Sequence, residues 1–364
     1  MISNNNFSIE RVIFTNDFLR IYENQSNIFT NPFKNNVHWL EKICGIPILK
    51  SLQIKQYSLF FGDENGAKSL RWKIYNSLEL PFSTEAWAFV YEDIELNTSL
   101  MNEIQTTFEN ALIISFEIAP SIIKIFTKLH IPFIDFAIHP VRFLEDYVFA
   151  IRTNVKEWEK RIAKHHLDDF LCREKARMYM AKSSRLQVFN NVPQGSVFFV
   201  GQTNQDSSLI ANKIMTSLDE VKMHLESISK AYPCVHYKAH PHNKDTKEIL
   251  SFLASLKKVE VVNYNIYDVL GSGAYCKIFS ISSGTLLEAN YFDLETHRLS
   301  PAFNSYDINT YQSSKSYFGL LTVPILKQFW DYLFYDKKFS NPYVLNPYKE
   351  AFSKTLTSTW GGRI

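Results

Sequence analysis

The feature that most constrains the fold is a regular alternation of short apolar runs with helical patterns after residue 197. The short runs are rich in β-branched and aromatic residues, whereas the helical patterns place apolar residues every three to four positions. Strands that alternate with helices of this length form βαβ units and hence a parallel sheet. The predicted strands are 197–201, 234–239, 259–263 and 277–282, and the predicted helices are 218–232, 245–256, 266–270 and 285–292.

The first half contains similar apolar runs, and their near-continuous apolarity predicts buried, largely parallel strands. A helical pattern over 154–186 predicts a connecting segment, and the Asn-Asn-Val-Pro-Gln-Gly stretch at 190–195 interrupts it. We therefore expect an α/β protein of two Rossmann-like domains, 1–190 and 191–320, with a cleft between them and a helical tail, 321–364, that packs back on the first domain. The predicted strands of the first half are 9–15, 56–62, 86–92, 111–118 and 132–139.

Composition excludes several classes of protein. Hydrophobic residues at 46% and charged residues at 21% are typical of a globular chain, and a net charge of +2 gives no reason to expect nucleic acid as a partner. Only 11 glycines occur, which argues against the glycine-rich loops of dehydrogenases and P-loop NTPases. No secretory leader or apolar run of about 18 residues is found, so we expect a cytoplasmic protein, with contact at a membrane surface left open.

Cysteine spacing predicts reduced thiols. The four cysteines lie far apart in the sequence and form neither a Cys-x-x-Cys pair nor a Cys/His ligand pattern. The sequence therefore indicates no disulfide framework and no structural zinc site. The cysteines are Cys44, Cys172, Cys234 and Cys276.

Polar side chains follow the predicted strands, where ligands of open parallel sheets bind. Gln202, Asp206 and Ser207 follow the strand that ends at residue 201, and a carboxylate there can be a nucleophile or general base. The alternative is that Asp206 or Ser207 caps the next helix. Lys238 and His240 lie at the end of the next strand and suit a phosphate, unless they belong to a solvated loop.

A third cluster lies at the predicted start of the helix 285–292. Ser282, Ser283, Gly284 and Thr285 offer hydroxyls and backbone amides to an anion, and Glu288 could accept ribose hydroxyls. Thr285 and Glu288 also fit the capping-box pattern, so an ordinary helix cap is the alternative.

A fourth cluster lies in the first half. Glu117 ends an apolar run and is costly to bury as a charge, so it lies either at the rim of the sheet or in a functional site. His139 and Arg142 flank Pro140, and the guanidinium could bind a carboxylate. An ion pair between Arg142 and Asp146 is the alternative.

In this order, the motifs resemble the bacterial capsule and O-antigen Kdo transferases, which are GT-B-like enzymes. The resemblance rests on Gly201-Gln202 through Ser208, Lys238-Ala239-His240-Pro241 and Ser282-Ser283-Gly284 through Ala289. The upstream stretch Ile138 to Leu144 is similar to the retaining β-Kdo branch that caps O-antigen chains. The resemblance covers about 117–289, and this chain carries one set of motifs where related capsule enzymes carry two modules or fusions.

The resemblance implies a GT-B-like arrangement and transfer of Kdo from CMP-β-Kdo to a glycan acceptor, expected to be lipid-linked, with retention at the anomeric carbon. It implies Asp206 as nucleophile and Glu117 as partner acid or base. His240, Lys238 and the cluster 282–285 would hold the CMP phosphate, with Glu288 on the ribose. Gln202, Arg142, His139 and Ser207 would contact the sugar. A donor that leaves with one phosphate requires no metal or other cofactor.

Two other functions stay open on the sequence. The same fold could use CMP-sialic acid or a UDP-sugar, because hydroxyls at strand ends serve any nucleotide. A non-catalytic protein of the polysaccharide assembly machinery, holding glycan in the cleft, is the second. The expected location is the cytoplasm, with contact at the inner face of the inner membrane left open.

Overall fold

The structure is a computed structural model that describes residues 8–21, 34–63, 68–144, 147–203, 205–241 and 247–340. Within these ranges the chain forms a six-stranded sheet, a separate five-stranded sheet and a two-stranded hairpin. Helices cover both larger sheets, so the chain has two Rossmann-like α/β halves. The exact boundaries of the domains stay a prediction.

The first sheet has the order β13-β5-β4-β3-β1-β2. Its strands β1 to β4 are parallel, while β5 and β13 are antiparallel to their neighbours β4 and β5. Every residue of β3 is buried, as expected for a central strand with helices on both faces. The strands are β1 (Arg11–Asn16), β2 (Tyr57–Leu59), β3 (Ala111–Phe116), β4 (Phe133–Ile138), β5 (Val148–Thr153) and β13 (Phe318–Leu321).

Helices on the two faces of this sheet enclose two hydrophobic cores. Late in the chain, α12 returns to pack against α1, with Trp330 and Leu333 fully buried in one of these cores. These helices are α1 (Lys34–Leu52), α2 (Leu70–Ser77), α3 (Thr84–Tyr91), α4 (Thr98–Thr107), α5 (Pro120–Lys128), α6 (Lys156–Ala163) and α12 (Lys327–Tyr335). Helix α7 (Asp169–Ser183) packs instead against α10 (Ile266–Gly271) of the second half. Residues 341–364 of the predicted tail lie outside the described residues.

The second sheet is parallel throughout and has the order β10-β9-β6-β11-β12. A short hairpin, β7 (Ile210–Ala211) and β8 (Ile214–Met215), follows its first strand and contacts α3 of the first half. The strands are β6 (Val197–Val200), β9 (Val235–Lys238), β10 (Val259–Val261), β11 (Lys277–Ser280) and β12 (Glu295–Arg298), and the helices are α8 (Leu218–Ala231), α9 (Lys247–Ser255), α10 (Ile266–Gly271) and α11 (Thr285–Tyr291).

The predicted strand 86–92 is wrong, because this segment is helix α3. An apolar run of this length fits a buried strand and a buried helix equally well. Ser83 favours the helix, since its Oγ accepts a hydrogen bond from the backbone N–H of Ala86 and so caps the first turn. Trp87 is buried as a result, whereas Phe89 on the other side is exposed.

The predicted helical connector 154–186 contains two helices, α6 and α7. A break between α6 and α7 allows the Leu167 amide to donate to the carbonyl of Gly319 on β13, and Asp168 then caps α7 through the Phe170 amide. The sequence patterns also missed β5, β12 and β13. Strand β12 (Glu-Thr-His-Arg) has no apolar residue, so no apolar run marks it in the sequence.

Candidate functional site

A cavity of about 1020 Å³ lies between the two halves. Its walls carry residues that follow β1, β3 and β4 of the first sheet and β6, β9, β11 and β12 of the second. Ligands of open parallel sheets bind outside the carboxyl ends of the strands, and both sheets here point these ends at one space. The cavity is therefore the candidate functional site.

The order of the strands explains why these residues meet. Within the second sheet the strands follow the order 3-2-1-4-5, which reverses direction between β6 and β11. In the first sheet the reversal lies between β1 and β3. A reversal leaves a crevice between the two loops that leave the neighbouring strands. Gln202 and Ser282 flank one crevice, and Arg20 and Glu117 flank the other.

Glu117 follows β3 and has a left-handed backbone with a φ of 53°. This conformation costs a non-glycine residue on the order of 1 kcal/mol or more, so its surroundings must hold it. The Glu117 amide donates to the carbonyl of Phe136 on β4 at 2.8 Å. Burial raises the pKa of the Glu117 carboxyl to about 7, with a further upward contribution from Asp206 across the cavity, while Arg20 and Arg142 act in the opposite direction.

A buried ion pair fixes the residue after Glu117. The Ile118 amide donates to Asp135 Oδ1 at 3.1 Å, and the Ile118 carbonyl accepts from Arg152 Nη2 at 2.9 Å. Arg152 and Asp135 are in turn joined at 2.8 Å, and the Tyr317 hydroxyl donates to Asp135 Oδ2 at 2.6 Å. No sequence motif indicates this network, because its members come from β4, β5 and the segment before β13.

Asp206 lies on the loop after β6, on the opposite side of the cavity. Its Oδ1 accepts a hydrogen bond from the Ser208 amide at 2.9 Å and so caps a short 3₁₀ turn, Ser207–Leu209. One carboxylate oxygen of Asp206 therefore acts as a cap, as the alternative interpretation expected. No described residue forms a hydrogen bond with Oδ2, and Asp206 also contributes to the electrostatic environment of Glu117 and Arg298. Ser207 and Tyr91, at the end of α3, both line the cavity.

Gln202 joins the loops after β6 and β11. Its Oε1 accepts from the Ser282 amide at 2.6 Å, and its Nε2 donates to Ser282 Oγ at 2.7 Å. The Ser282 hydroxyl also donates to Ser208 Oγ at 2.8 Å. Gln202 therefore joins these two loops, and it also lines the cavity.

The backbone amides at the start of α11 are largely used within the protein. Ser282 N–H donates to Gln202, Ser283 N–H to Ser280 Oγ, and Thr285 N–H to Ser283 Oγ. What this segment offers a ligand is mainly hydroxyl groups, and the buried Thr285 Oγ1 has no hydrogen-bond partner among the described residues. Gly284 allows close packing, because a Cβ there would lie 2.8 Å from Pro140 Cβ.

The capping-box interpretation of Thr285 and Glu288 is wrong. Gly284 occupies the N-cap position without a side-chain bond. Glu288 Oε1 instead accepts from the Arg142 amide at 2.8 Å and from the Tyr267 hydroxyl at 3.1 Å. Burial raises the pKa of Glu288 to about 7. This carboxyl lines the cavity, and its hydrogen bond with Arg142 connects the two halves.

Four guanidinium groups line the cavity, and sequence analysis singled out only one of them, Arg142. Arg20 donates to the carbonyl of Gln205 at 2.6 Å and therefore reaches across to the loop of Asp206. Arg298 ends β12, and burial lowers its pKa while Asp206 opposes that change. The fourth is Arg152, so the walls combine several fixed positive charges with carboxyl groups. The partner proposed for Arg142, Asp146, lies outside the described residues.

Three remaining candidates have different positions. His240 lines the cavity, whereas Lys238 and His139 are not among its lining residues. Lys238 Nζ donates to Asn263 Oδ1 at 3.3 Å. His139 is buried with its Nδ1 accepting from the Val141 amide at 3.2 Å, and burial lowers its pKa to about 3. The neutral His139 ring packs on Gly319, where a Cβ would lie only 2.9 Å away.

Among the described residues, no helix combines the length and apolarity needed to cross a bilayer. No family model matches the sequence, and no curated protein matches it either.

Comparison with solved structures finds likenesses of low identity. The chain is similar over 87% of its length, and 89% of the other chain, to the β-Kdo 2,7 transferase KpsC of Thermosulfurimonas dismutans, with 11% identity and a TM-score of 0.39. It is also similar to UDP-GlcNAc 2-epimerases of Methanocaldococcus jannaschii (11% identity, 96% and 100% covered, TM-score 0.31) and Neisseria meningitidis (11%, 96% and 99%, 0.32). Values this low assign neither a family nor a substrate.

Proposed function

We propose that this protein is a retaining glycosyltransferase that moves Kdo from CMP-β-Kdo to a saccharide acceptor of a bacterial surface polysaccharide. The motif resemblance suggests this reaction, and one observation of the structure supports it. Glu117 from the first sheet and Asp206 from the second line the same cavity, among arginine side chains that suit an acidic sugar.

In the proposed reaction, Asp206 displaces CMP and is then itself displaced. One carboxylate oxygen of Asp206 forms a bond to the anomeric carbon as the bond from that carbon to the phosphate oxygen breaks, and CMP leaves with the electron pair. An acceptor hydroxyl then attacks the same carbon, gives its proton to Glu117 and releases Asp206. Two inversions at one carbon give net retention.

The environment of each carboxyl group supports its role. A general base works best with a pKa near the operating pH, and burial raises that of Glu117 to about 7. Asp206 uses Oδ1 for its cap, which orients the side chain and leaves Oδ2 for the sugar. Two carboxyl groups in unlike surroundings is the pattern expected of an acid/base residue and a nucleophile.

For the donor, we propose that His240 and the hydroxyls of Ser282, Ser283 and Thr285 bind the phosphate beside Gly284, with Glu288 near the ribose. Arg142, Arg298, Gln202 and Ser207 are the proposed contacts of the sugar. Lys238 is left out because it bonds Asn263 away from the cavity, and His139 is proposed to position the 139–142 loop. A single phosphate needs no metal here, and the acceptor is proposed to be a lipid-linked glycan at the inner membrane face.

A donor panel tests this proposal. The full chain would be incubated with CMP-Kdo, CMP-sialic acid and UDP-GlcNAc, each with a synthetic oligosaccharide acceptor, and the products weighed by mass spectrometry. The proposal expects a Kdo adduct from CMP-Kdo alone, with and without added magnesium, and CMP binding in calorimetry. Transfer from a UDP-sugar or CMP-sialic acid would replace the donor assignment, and undetectable CMP binding would favour a non-catalytic glycan-binding protein.

A further inference from the structure

A cluster of three potential metal ligands lies on β9 and β10, at the edge of the second sheet. Cys234 immediately precedes β9 and His236 is its second residue, so strand alternation places both side chains on one face. Glu260 of β10 is the register partner of His236 and therefore shares that face. The ligand atoms of all three residues lie within 4.8 Å of one another.

His236 is held in a defined orientation. Its Nδ1 lies 2.6 Å from the Tyr275 hydroxyl, and its ring packs against Tyr275 and Tyr264. The other ring nitrogen, Nε2, faces Glu260 Oε2 at 3.4 Å. Metal-bound histidines usually have this arrangement, with one nitrogen fixed by a hydrogen bond and the other directed to the ion.

The spacing and the charges also suit a divalent ion. Ligand bonds of about 2.0 to 2.2 Å to nitrogen and oxygen at a tetrahedral angle place those atoms about 3.4 Å apart. The distance from His236 Nε2 to Glu260 Oε2 already has this value. A thiolate, a neutral imidazole and a carboxylate together carry two negative charges, which balance the ion.

We propose that Cys234, His236 and Glu260 bind one zinc-type divalent cation, with water at the fourth position. On binding, the Cys234 thiol gives its proton to solvent and its sulfur bonds the ion. The ion would connect β9 to β10, a three-residue edge strand that pairs only on the β9 side of the sheet order. The proposal does not depend on the transferase function, since the cluster begins at the amino end of β9 and His240 of the cavity follows the carboxyl end.

Cobalt(II) titration of the full chain, freed of metal by a chelator that is then removed, tests this site. Co²⁺ bound by a thiolate gives a charge-transfer absorption in the near ultraviolet, and a tetrahedral site gives intense visible bands. We expect both at one equivalent, their loss on adding one equivalent of Zn²⁺, and a higher midpoint of thermal unfolding with Zn²⁺.

Variants identify the ligands. Cys234→Ser should abolish the charge-transfer band, whereas Cys276→Ser, which removes an exposed thiol outside the cluster, should leave it unchanged. Tyr275→Phe keeps every ligand and should weaken binding by about 10- to 100-fold. Glu260 is exposed, so Glu260→Gln keeps the test valid if Cys234→Ser does not fold.

Two results would overturn the proposal. One is the absence of a thiolate band in wild-type protein at stoichiometric Co²⁺. The other is a band that survives both Cys234→Ser and Glu260→Gln, or that disappears in Cys276→Ser. In either case His236 and Glu260 would be an ordinary cross-strand ion pair.

Discussion

The two walls of the cavity hold their carboxyl groups in different ways. Glu117 has a left-handed backbone next to a buried ion pair, Arg152 with Asp135, in the first sheet. Asp206 caps a short turn on a loop held by the side chains of Gln202, Ser282 and Ser208. One wall therefore relies on a buried charge network that is costly to break, and the other on hydroxyl and amide bonds of modest individual energy.

The two walls therefore have different roles. The first wall places Glu117 where burial shifts its pKa, and the strain of its backbone needs rigid support. The second wall provides an oriented carboxylate and hydroxyls that can exchange protein bonds for ligand bonds. Substitutions in the Arg152–Asp135 network behind Glu117 should mainly change stability, and those in the second wall should mainly change chemistry and binding.

The largest effect is expected in the second wall, from Asp206→Asn. Asparagine retains an oxygen that can accept the hydrogen bond of the Ser208 amide, but it removes the carboxylate. The rate of transfer should therefore fall on the order of 10⁴-fold or more, while the free energy of unfolding stays nearly unchanged. Initial rates and urea unfolding measure the two quantities. Asp168→Asn makes the same change at the cap of α7 and should retain activity. Wild-type rates in Asp206→Asn would return Asp206 to the role of a cap alone.

The first wall should give the next largest effect, measured as stability. Asp135→Ala leaves the Arg152 guanidinium buried without its carboxylate and should lower the free energy of unfolding by about 3 to 5 kcal/mol. Urea unfolding of both proteins gives this difference. Glu157→Gln removes an exposed ion pair with Lys160 and should leave stability nearly unchanged. Equal effects of the two substitutions would show that the buried network does not hold the wall.

Binding of the nucleotide should depend on His240. His240→Ala should weaken CMP by about 10- to 100-fold, because a charge-assisted hydrogen bond to phosphate contributes about 1.5 to 3 kcal/mol. Calorimetry with CMP and no added magnesium measures this loss. Lys238→Ala is the matched comparison, since Lys238 bonds Asn263 away from the cavity and its loss should leave CMP affinity unchanged. The reverse order of the two effects would require another phosphate site.

The smallest effect concerns the stability of the first wall as pH changes. Burial raises the folded-state pKa of Glu117 from 4.5 to about 7, so its contribution favours folding below pH 4.5 and is lost as the pH rises through 7. Glu117→Gln should remove that loss. The variant should match the wild type near pH 4.5 and be more stable at pH 8 by about 1 to 3 kcal/mol, the lower values reflecting the open cavity face.

Urea midpoints of wild type and Glu117→Gln at pH 4.5, 6 and 8 measure this difference. Glu288→Gln would be a poor control, because burial raises that pKa to about 7 as well. Lower stability of Glu117→Gln at pH 8 would contradict the proposed cause of the shift.

The position of each site residue decides whether it could be predicted from the sequence. The polar groups after β6, β9 and β11 were found because a parallel sheet gathers its strand ends, and this rule needs only the order of the strands. Arg298 was missed because its strand β12, Glu-Thr-His-Arg, contains no apolar residue that would mark it as a strand. The segment 86–92 was misjudged because burial hides the difference between a helix and a strand.

Contacts between distant segments were not predictable from one sequence. The pairing of Asp135 with Arg152 depends on an antiparallel neighbour, β5, and the approach of Glu260 to His236 depends on the register of β10. The close packing of Gly284 on Pro140 likewise joins two halves of the chain. No local spacing encodes such contacts, and for this reason cysteine spacing did not reveal the Cys234 cluster.

The most direct test of the proposed double displacement is the mass of the intact protein after incubation with CMP-Kdo and no acceptor. The account predicts one added Kdo on the wild type, located on Asp206 by peptide mapping, and none on Asp206→Asn. When acceptor is added, Glu117→Gln should still accumulate the adduct, because transfer of the sugar to the acceptor needs the base. An unmodified wild type that nonetheless turns over the donor, or an adduct on another residue, would contradict it.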